Sequence, residues 1–564
     1  MRFFLLLLAL AGFLSLLSCI SPMKTSKNHA KKMHSMVVCS HPAAAKAAKD
    51  ILSSGGNAYD AAITTQFVLA VVYPRAGNIG GGGLMVGRDG DGKVMALDFR
   101  EKAPLAAHKD MYLDDNGNII PNKSLTGIFS VGVPGSVDGM WTLHREKGSL
   151  PWYQLIQPAI DLARHGVTLT ANEAKHMNEY ASIIDSVSGF NTDYSKKKWK
   201  AGDVFIQSNL ANTLERIRDY GRDGFYRGKV ADQIIQTSTA HHGLITQQDL
   251  DDYHSRWRSP IVSDYKGYRL CLMPPPSSGG VLIAQMLKVM ERMNLSEKGH
   301  NTAPYIHGLV EITRRAYADR SEYFGDPDYV VNHINTLLSD KYINEKYDNI
   351  NPGKATPSTD IKAGAVERIE SFETTHFSIV DQWQNTVAIT TTLNGNYGSK
   401  MVVAGGGFLL NNEMDDFSVK PGSPNQFGLV GGEANSIQPG KRMLSSMSPT
   451  IVSKDGTLYA VVGTPGGSTI ITANLQTIAN LIDFNMSMEE AVLAPKMHSQ
   501  WLPDEVYLEK NKFDQSVILQ LEKMGHAVKE VNALGKLDCI KVLEDGSLEG
   551  GTDPAKGDGT IDGF

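Results

Sequence analysis

The spacing of apolar and polar positions changes several times along the chain, and each change marks a boundary. The first stretch, MRFFLLLLALAGFLSLLSC, is apolar from Phe3 to Leu17, with one early charge at Arg2. Such a run is shorter than the ~20 residues a spanning helix needs and has the layout of an export signal. The polar, basic SPMKTSKNHAKKMH that follows has the composition of a flexible tether. Folded sequence is expected from about Met36, with VVCS as a short strand. A helix is expected from Pro42, where proline suits the first turn, to SSGG. A second is expected over NAYDAAITTQFVLAVVYP, ending before Pro74. From about 140 to 350 the period is mainly helical. SNLANTLERIRDYG sets Leu210, Leu214 and Ile217 on one face with Gly221 as the stop. VLIAQMLKVMERM repeats that spacing after the turn-rich PPPSSGG. Residues 351–371 are polar and aperiodic, the pattern of an accessible, poorly packed loop. From Thr374 the alternation is that of strands: TTHFSIV, TVAITTT, PTIVS and LYAVVG. Helices with strands clustered late predict a layered α+β architecture.

Composition narrows the functional classes. Net charge is −6 with acids and bases interspersed, and without a basic stripe or zinc-ligand pattern nucleic acid is not an expected partner. Cys19, Cys39, Cys271 and Cys539 are far apart and form no CxxC pair, so neither a structural metal site nor a disulfide framework is expected. Cys19 closes LLSC, which resembles a bacterial lipobox. In that reading it carries lipid as the first residue of the mature protein; in the other, it is an incidental cysteine in an ordinary signal peptide. GNIGGGG, residues 77–83, lacks both the Lys-Ser/Thr of a P-loop and the GxGxxG spacing, so close backbone packing beside a strand is the expectation.

Chemistry enters at ESFETTHFSIV. Residues 374–392 read as a β-hairpin, with DQWQN as its loop. Pairing Val380 with Thr386 sets Thr374 opposite Thr392, close enough for contact between their hydroxyls. A threonine hydroxyl needs an adjacent base to act as a nucleophile, and a threonine that begins a chain supplies its own amine, which ordinarily titrates at about 7.7–8.0. Thr374 gains that amine only if the Glu373–Thr374 peptide bond is cut. His376 is a rival base on the same strand face, but two residues along, roughly 6.6–6.8 Å away; a packing role suits it better.

TTHFSIV, TTTLNGNYG, LLNNEMDDF, LSSMSPT and GTPGGS resemble the small subunit of gamma-glutamyltranspeptidases. GGNAYDAA, AGNIGGGG, DFREKAP, VPGSVDG and MPPPSSGG resemble the large subunit, in the same order. The resemblance runs from about residue 36 to the C-terminus. It implies a four-layer αββα sandwich of the N-terminal-nucleophile hydrolase type, made as a precursor that cuts itself. After the signal peptide (1–18) and lipid-anchored tether (19–35) read from the N-terminal pattern, it implies a large subunit (36–373) and a small catalytic subunit (374–564), the two forming a heterodimer. It implies Thr374 as nucleophile, Thr392 as the second threonine, and Gly466 and Gly467 as the oxyanion hole. Arg100, Ser445 and Ser446 would bind the substrate α-carboxylate, an arginine fork suiting its two oxygens. Asn394, Glu413 and Asp416 would hold the α-amino group. Glutathione and other γ-glutamyl compounds would be donors, amino acids and peptides acceptors, with no metal or organic cofactor. Location would be the bacterial periplasm or cell envelope, with membrane attachment only through Cys19.

Taken alone, Arg100 would read as a surface residue paired with Glu101, and the serines and glycines as turns. Three positions depart from the family pattern. Gln384 stands where a turn glycine is usual. Phe427 stands where some bacterial members place a lid tyrosine, so the lid would lack a hydroxyl bond and close more loosely. TDPAKGDG lacks an arginine after its DP. An acylase for cephalosporin-type side chains on the same scaffold, and a non-catalytic surface lipoprotein, are the alternative functions.

Overall fold

β-Branched and aliphatic runs supply the strands in the computed structural model, which describes residues 33–195, 198–362, 374–553 and 558–564. The first six main strands are β1 (Met36–Cys39), β2 (Gly82–Arg88), β3 (Val94–Phe99), β4 (Arg256–Arg258), β5 (Ile261–Tyr265) and β6 (Tyr268–Leu272). The rest are β7 (Thr375–Val380), β8 (Thr386–Thr392), β9 (Thr450–Lys454), β10 (Thr457–Val462), β11 (Asp538–Val542), β12 (Leu548–Thr552) and β13 (Thr560–Gly563). One sheet has the order β13-β1-β7-β8-β2-β3-β4 and the other β12-β11-β10-β9-β6-β5.

Alternation along these strands sorts the apolar side chains into three layers. Phe377, Ile379, Val387 and Ile389 pack outward from the first sheet. They meet helices α1 (Pro42–Ser53), α2 (Ala58–Val72), α3 (Ser136–Lys147), α4 (Trp152–His165) and α5 (Ser208–Tyr220). Leu270, Leu272, Val452 and Val462 pack outward from the second sheet onto α6 (Gly279–Arg292), α7 (Ala303–Tyr323) and α8 (Thr469–Asp483). Between the sheets lie Val38, Leu84, Val86, Val380 and Ala388 of one and Cys271, Ile451, Val461 and Ile540 of the other. The result is the four-layer αββα sandwich.

The structure corrects the expected placement of strands. Strands are not confined to the late part of the chain: β1 to β6 precede residue 280, and β4 to β6 interrupt the helical middle. β2, GGLMVGR, is buried at every position, so it shows no alternation by which to recognise it. Residues 351–362 are largely exposed, as expected, yet the segment is anchored: the Ala355 N–H donates to Met524 O at 2.7 Å, Ser358 Oγ to Trp501 O at 2.6 Å, and Ile361 is buried. Just ahead of β1, the N–H groups of His34 and Ser35 donate to Phe564 O. Signal peptide, Cys19 and Glu373 lie outside the described residues. Cys39, Cys271 and Cys539 are free and buried, and burial pushes their thiols up to about 12.

Candidate active site

Thr374 directly precedes β7, and Thr392 closes β8. The hairpin register runs from Val380–Thr386 to Thr375–Thr391, so one further step brings the two threonines side by side, as expected. Thr374 shares the parity of His376, Ser378 and Val380, and Val380 faces the layer between the sheets. No hydroxyl-to-hydroxyl bond joins the pair; Thr392 Oγ1 accepts the Asn394 N–H at 2.7 Å. Asn78, from the glycine-rich loop before β2, anchors this strand end by donating to Thr392 O at 2.9 Å and Thr391 Oγ1 at 3.1 Å. The glycines of that loop pack as anticipated: a Cβ on Gly81 would lie 2.1 Å from Thr392 O.

His376 is held across the sheets. Ser378 Oγ donates to Asp538 O at 2.8 Å and lies 3.1 Å from His376 Nε2, so Nε2 carries the ring proton. Nδ1 then accepts from Thr390 Oγ1 at 2.9 Å. Burial pulls this imidazole down to about 3, which keeps it neutral. It packs so closely on Gly463 that a Cβ there would sit 2.0 Å from its Cε1. Both ring nitrogens are engaged away from Thr374.

Gly466 and Gly467 link β10 to α8 with φ of +137° and +54°, a region that excludes most side chains. Neither N–H finds an acceptor among the described residues, which leaves two donors at the head of α8 for a developing oxyanion. Of the expected site residues, Arg100, Thr374, Thr392, Asn394, Glu413, Asp416, Phe427, Ser445, Ser446 and Gly467 line one narrow cavity. Gly466, the residue before Gly467, is not among the lining residues. The same cavity includes Arg320, Leu429, Met447 and Ile470, none singled out from sequence.

Arg100 follows β3 and is buried, contrary to the surface position its sequence context alone would give. Its guanidinium donates to Glu413 and Asp416 and lies 3.6 Å from Glu101. Burial pushes the Glu101 carboxyl up to about 7 and the Glu413 and Asp416 carboxyls upward as well. Three buried carboxylates thus share one hydrogen-bonded cation, an excess of acid that favours entry of an ammonium group. Asn411, the first asparagine of LLNNEMDDF, ties this cluster to two loops: its Nδ2 donates to Gly80 O and Gly132 O, and its Oδ1 accepts the Glu413 N–H. Ser445 N–H donates to Pro276 O and Ser278 N–H to Ser445 O, so PPPSSGG cradles the serine loop.

The segment expected to form the lid covers one side of the cavity through Phe427. Phe427 is buried against Gly467. Its backbone is strapped by Asn425 Oδ1, which accepts the N–H groups of Phe427 and Leu429, and by Gln500 Nε2, which donates to Phe427 O. Asn425 Nδ2 donates in turn to Asp416 Oδ1 at 3.0 Å. These bonds hold the Phe427 segment in place over Gly467 without a side-chain hydroxyl. Gln384 adopts φ +65° in the hairpin loop, the geometry for which glycine is the unstrained choice.

A second cluster, His307, Glu311 and His526, gathers ligand-type atoms within 4.8 Å of one another. His307 Nε2 donates to Asn351 O, so its Nδ1 accepts from His526 Nε2 at 2.8 Å, and Glu311 is bonded to Arg315. Two arginines beside one carboxylate leave the cluster poorly suited to a dication.

The sequence profile described as Gamma-glutamyltranspeptidase matches residues 44–562. A protein of Escherichia coli named glutathione hydrolase proenzyme is 44% identical over 532 residues, covering 94% of this chain and 92% of its own. One of the same name from Pseudomonas aeruginosa is 46% identical over 516 residues, covering 90% and 91%. Among solved structures, a cephalosporin acylase from Bacillus halodurans superposes with a TM-score of 0.81 at 27% identity, covering 97% of this chain and 99% of that one.

Proposed function

The chain belongs to the gamma-glutamyltranspeptidase family, and from that premise we propose an autoprocessed γ-glutamyltransferase and glutathione hydrolase whose nucleophile is Thr374. Its hydroxyl first attacks the Glu373 carbonyl, exchanging the Glu373–Thr374 peptide bond for an ester and freeing the Thr374 amine; water then hydrolyses that ester, leaving a large chain that ends at Glu373 and a small one that starts at Thr374. Both contribute strands to the first sheet, β1 to β4 from one and β7, β8 and β13 from the other, so the pieces stay together as a heterodimer.

The freed amine takes the proton of its own hydroxyl, and the oxygen attacks the γ-glutamyl carbonyl. The oxyanion so formed meets the N–H groups of Gly466 and Gly467. Collapse returns the proton to the leaving amine and leaves a γ-glutamyl ester on Thr374. Water completes hydrolysis, or the amine of an amino acid or peptide completes transfer. The supporting observation is the convergence on one cavity of ten residues named from sequence. Release of p-nitroaniline from γ-glutamyl-p-nitroanilide tests it; a purified protein that stays one chain and releases none contradicts it.

Likeness to a cephalosporin acylase gives the second reading. The carboxylate excess of Glu101, Glu413 and Asp416 favours the γ-glutamyl donor, because a glutaryl amide has no ammonium to place there. Faster turnover of glutaryl than of γ-glutamyl anilide would reverse the choice. From sequence alone, export and lipid attachment at Cys19 in the bacterial envelope complete the proposal. An unacylated Cys19 in the intact mass of the isolated protein would remove the anchor.

A further inference from the structure

Arg320 projects from α7 onto the cavity wall. It is buried, and among the described residues no carboxylate lies within ion-pair distance of it. Its Nε donates to Ser278 Oγ at 3.1 Å and one terminal nitrogen to Ser446 Oγ at 3.3 Å. Burial pulls its pKa down to about 10, which leaves it charged at neutral pH. Arg100, by contrast, is already engaged by two carboxylates. The charge of Asp416 acts on Arg320 from beyond ion-pair distance, but that carboxylate is already bonded to Arg100 and Asn425, so a buried guanidinium held by two hydroxyls still gains from an entering anion.

The bond to Ser446 has a direction. A hydroxyl has one proton to give, and an oxygen that accepts from an arginine N–H keeps that proton for another acceptor. No protein acceptor takes it among the described residues, and Ser446 faces the cavity. Ser446 is thereby set as a donor toward whatever anion enters, with the charge of Arg320 behind it.

We infer that Arg320 is a positioning residue for donor specificity, orienting Ser446 and supplying the field that selects substrates with an α-carboxylate. This rests on the γ-glutamyl reading above. In the resulting division of labour, Glu413 and Asp416 read the ammonium side of the substrate, while Arg100 and Ser446, the latter backed by Arg320, read its carboxylate side.

Three small inhibitors separate these roles: L-glutamate, glutarate (carboxylate without amine) and 4-aminobutyrate (amine without that carboxylate). Competition against γ-glutamyl-p-nitroanilide turnover gives their inhibition constants for wild type, Arg320→Gln and Arg320→Lys. In Arg320→Gln the constants for L-glutamate and glutarate should rise at least tenfold while that for 4-aminobutyrate stays within twofold. Arg320→Lys, which keeps the charge but not the paired donors, should recover part of the loss. Glutarate and 4-aminobutyrate shifting together, or glutarate unmoved in an active variant, would overturn the assignment. Failure of both variants to fold and mature would also overturn it, by making Arg320 structural. A wild-type protein without turnover would instead defeat the proposed function.

Discussion

Arg100 shows how much a single side chain carries at this site. Its fork meets Glu413 and Asp416 with separate nitrogens, an arrangement a lysine ammonium cannot reproduce. Arg100→Lys should therefore raise KM for γ-glutamyl donors by an order of magnitude or more with a smaller effect on kcat; unchanged KM in steady-state kinetics would count against the assignment. His376 makes a different claim, since the structure gives it packing rather than proton transfer. Gly463→Ala would drive a methyl into its ring, an overpacking that costs typically 1–3 kcal/mol, read as a lower urea midpoint. The site residues legible in sequence were those inside motifs. Asn78 and Asn411 sat in family motifs, yet nothing there distinguished a strand anchor from a loop residue. Arg320 had no signal at all, because an arginine in a helix reads as a solvated side chain until the helix is seen to be buried around most of its girth.

At the scale of elements, the lid and the ammonium-binding acids are joined through one side chain. Asn425 donates to Asp416 and accepts two lid N–H groups. Asn425→Ala should loosen the lid, raising KM severalfold and weakening the hydrogen-exchange protection of Phe427 and Leu429; unaltered protection would refute the strap. Helices and the central hairpin were legible because a period of 3.6 or 2 persists where one face is solvated or where two layers differ. β2 was not, since GGLMVGR sets glycine or apolar side chains on both faces where the equally buried β7 alternates polar with apolar, nor was the docking of 351–362, which depends on Met524 and Trp501 far along the chain.

Across the whole molecule, buried ionisable groups pull stability in opposite directions. Burial holds His498 and His526 at about 4 and His376 at about 3, below the ordinary value near 6.5. Each contributes stability that is complete above about pH 6.5 and is lost as pH falls toward its folded value. Glu101 and Asp415, pushed up to about 7, and Asp538, to about 6, act oppositely, stabilising at low pH and losing that contribution as pH rises through those values. The two sets offset each other between about pH 4 and 6.5, so a difference measurement isolates one group. Relative to His526→Gln, wild type should lose about 2–3 kcal/mol between pH 7 and 4.5, seen in denaturant midpoints. A constant gap would remove His526 from the acid response.

The interleaving of strands from both sides of residue 374 in one sheet means that cutting need not separate the pieces, so their covalent state must be read directly. N-terminal sequencing of wild-type protein that turns over γ-glutamyl-p-nitroanilide, with Thr374→Ala alongside, does so. The proposed mechanism requires a second N-terminus reading Thr-Thr-His-Phe-Ser in the active protein, and an uncut, inactive variant. Full activity from a chain still continuous through Glu373–Thr374 would contradict it.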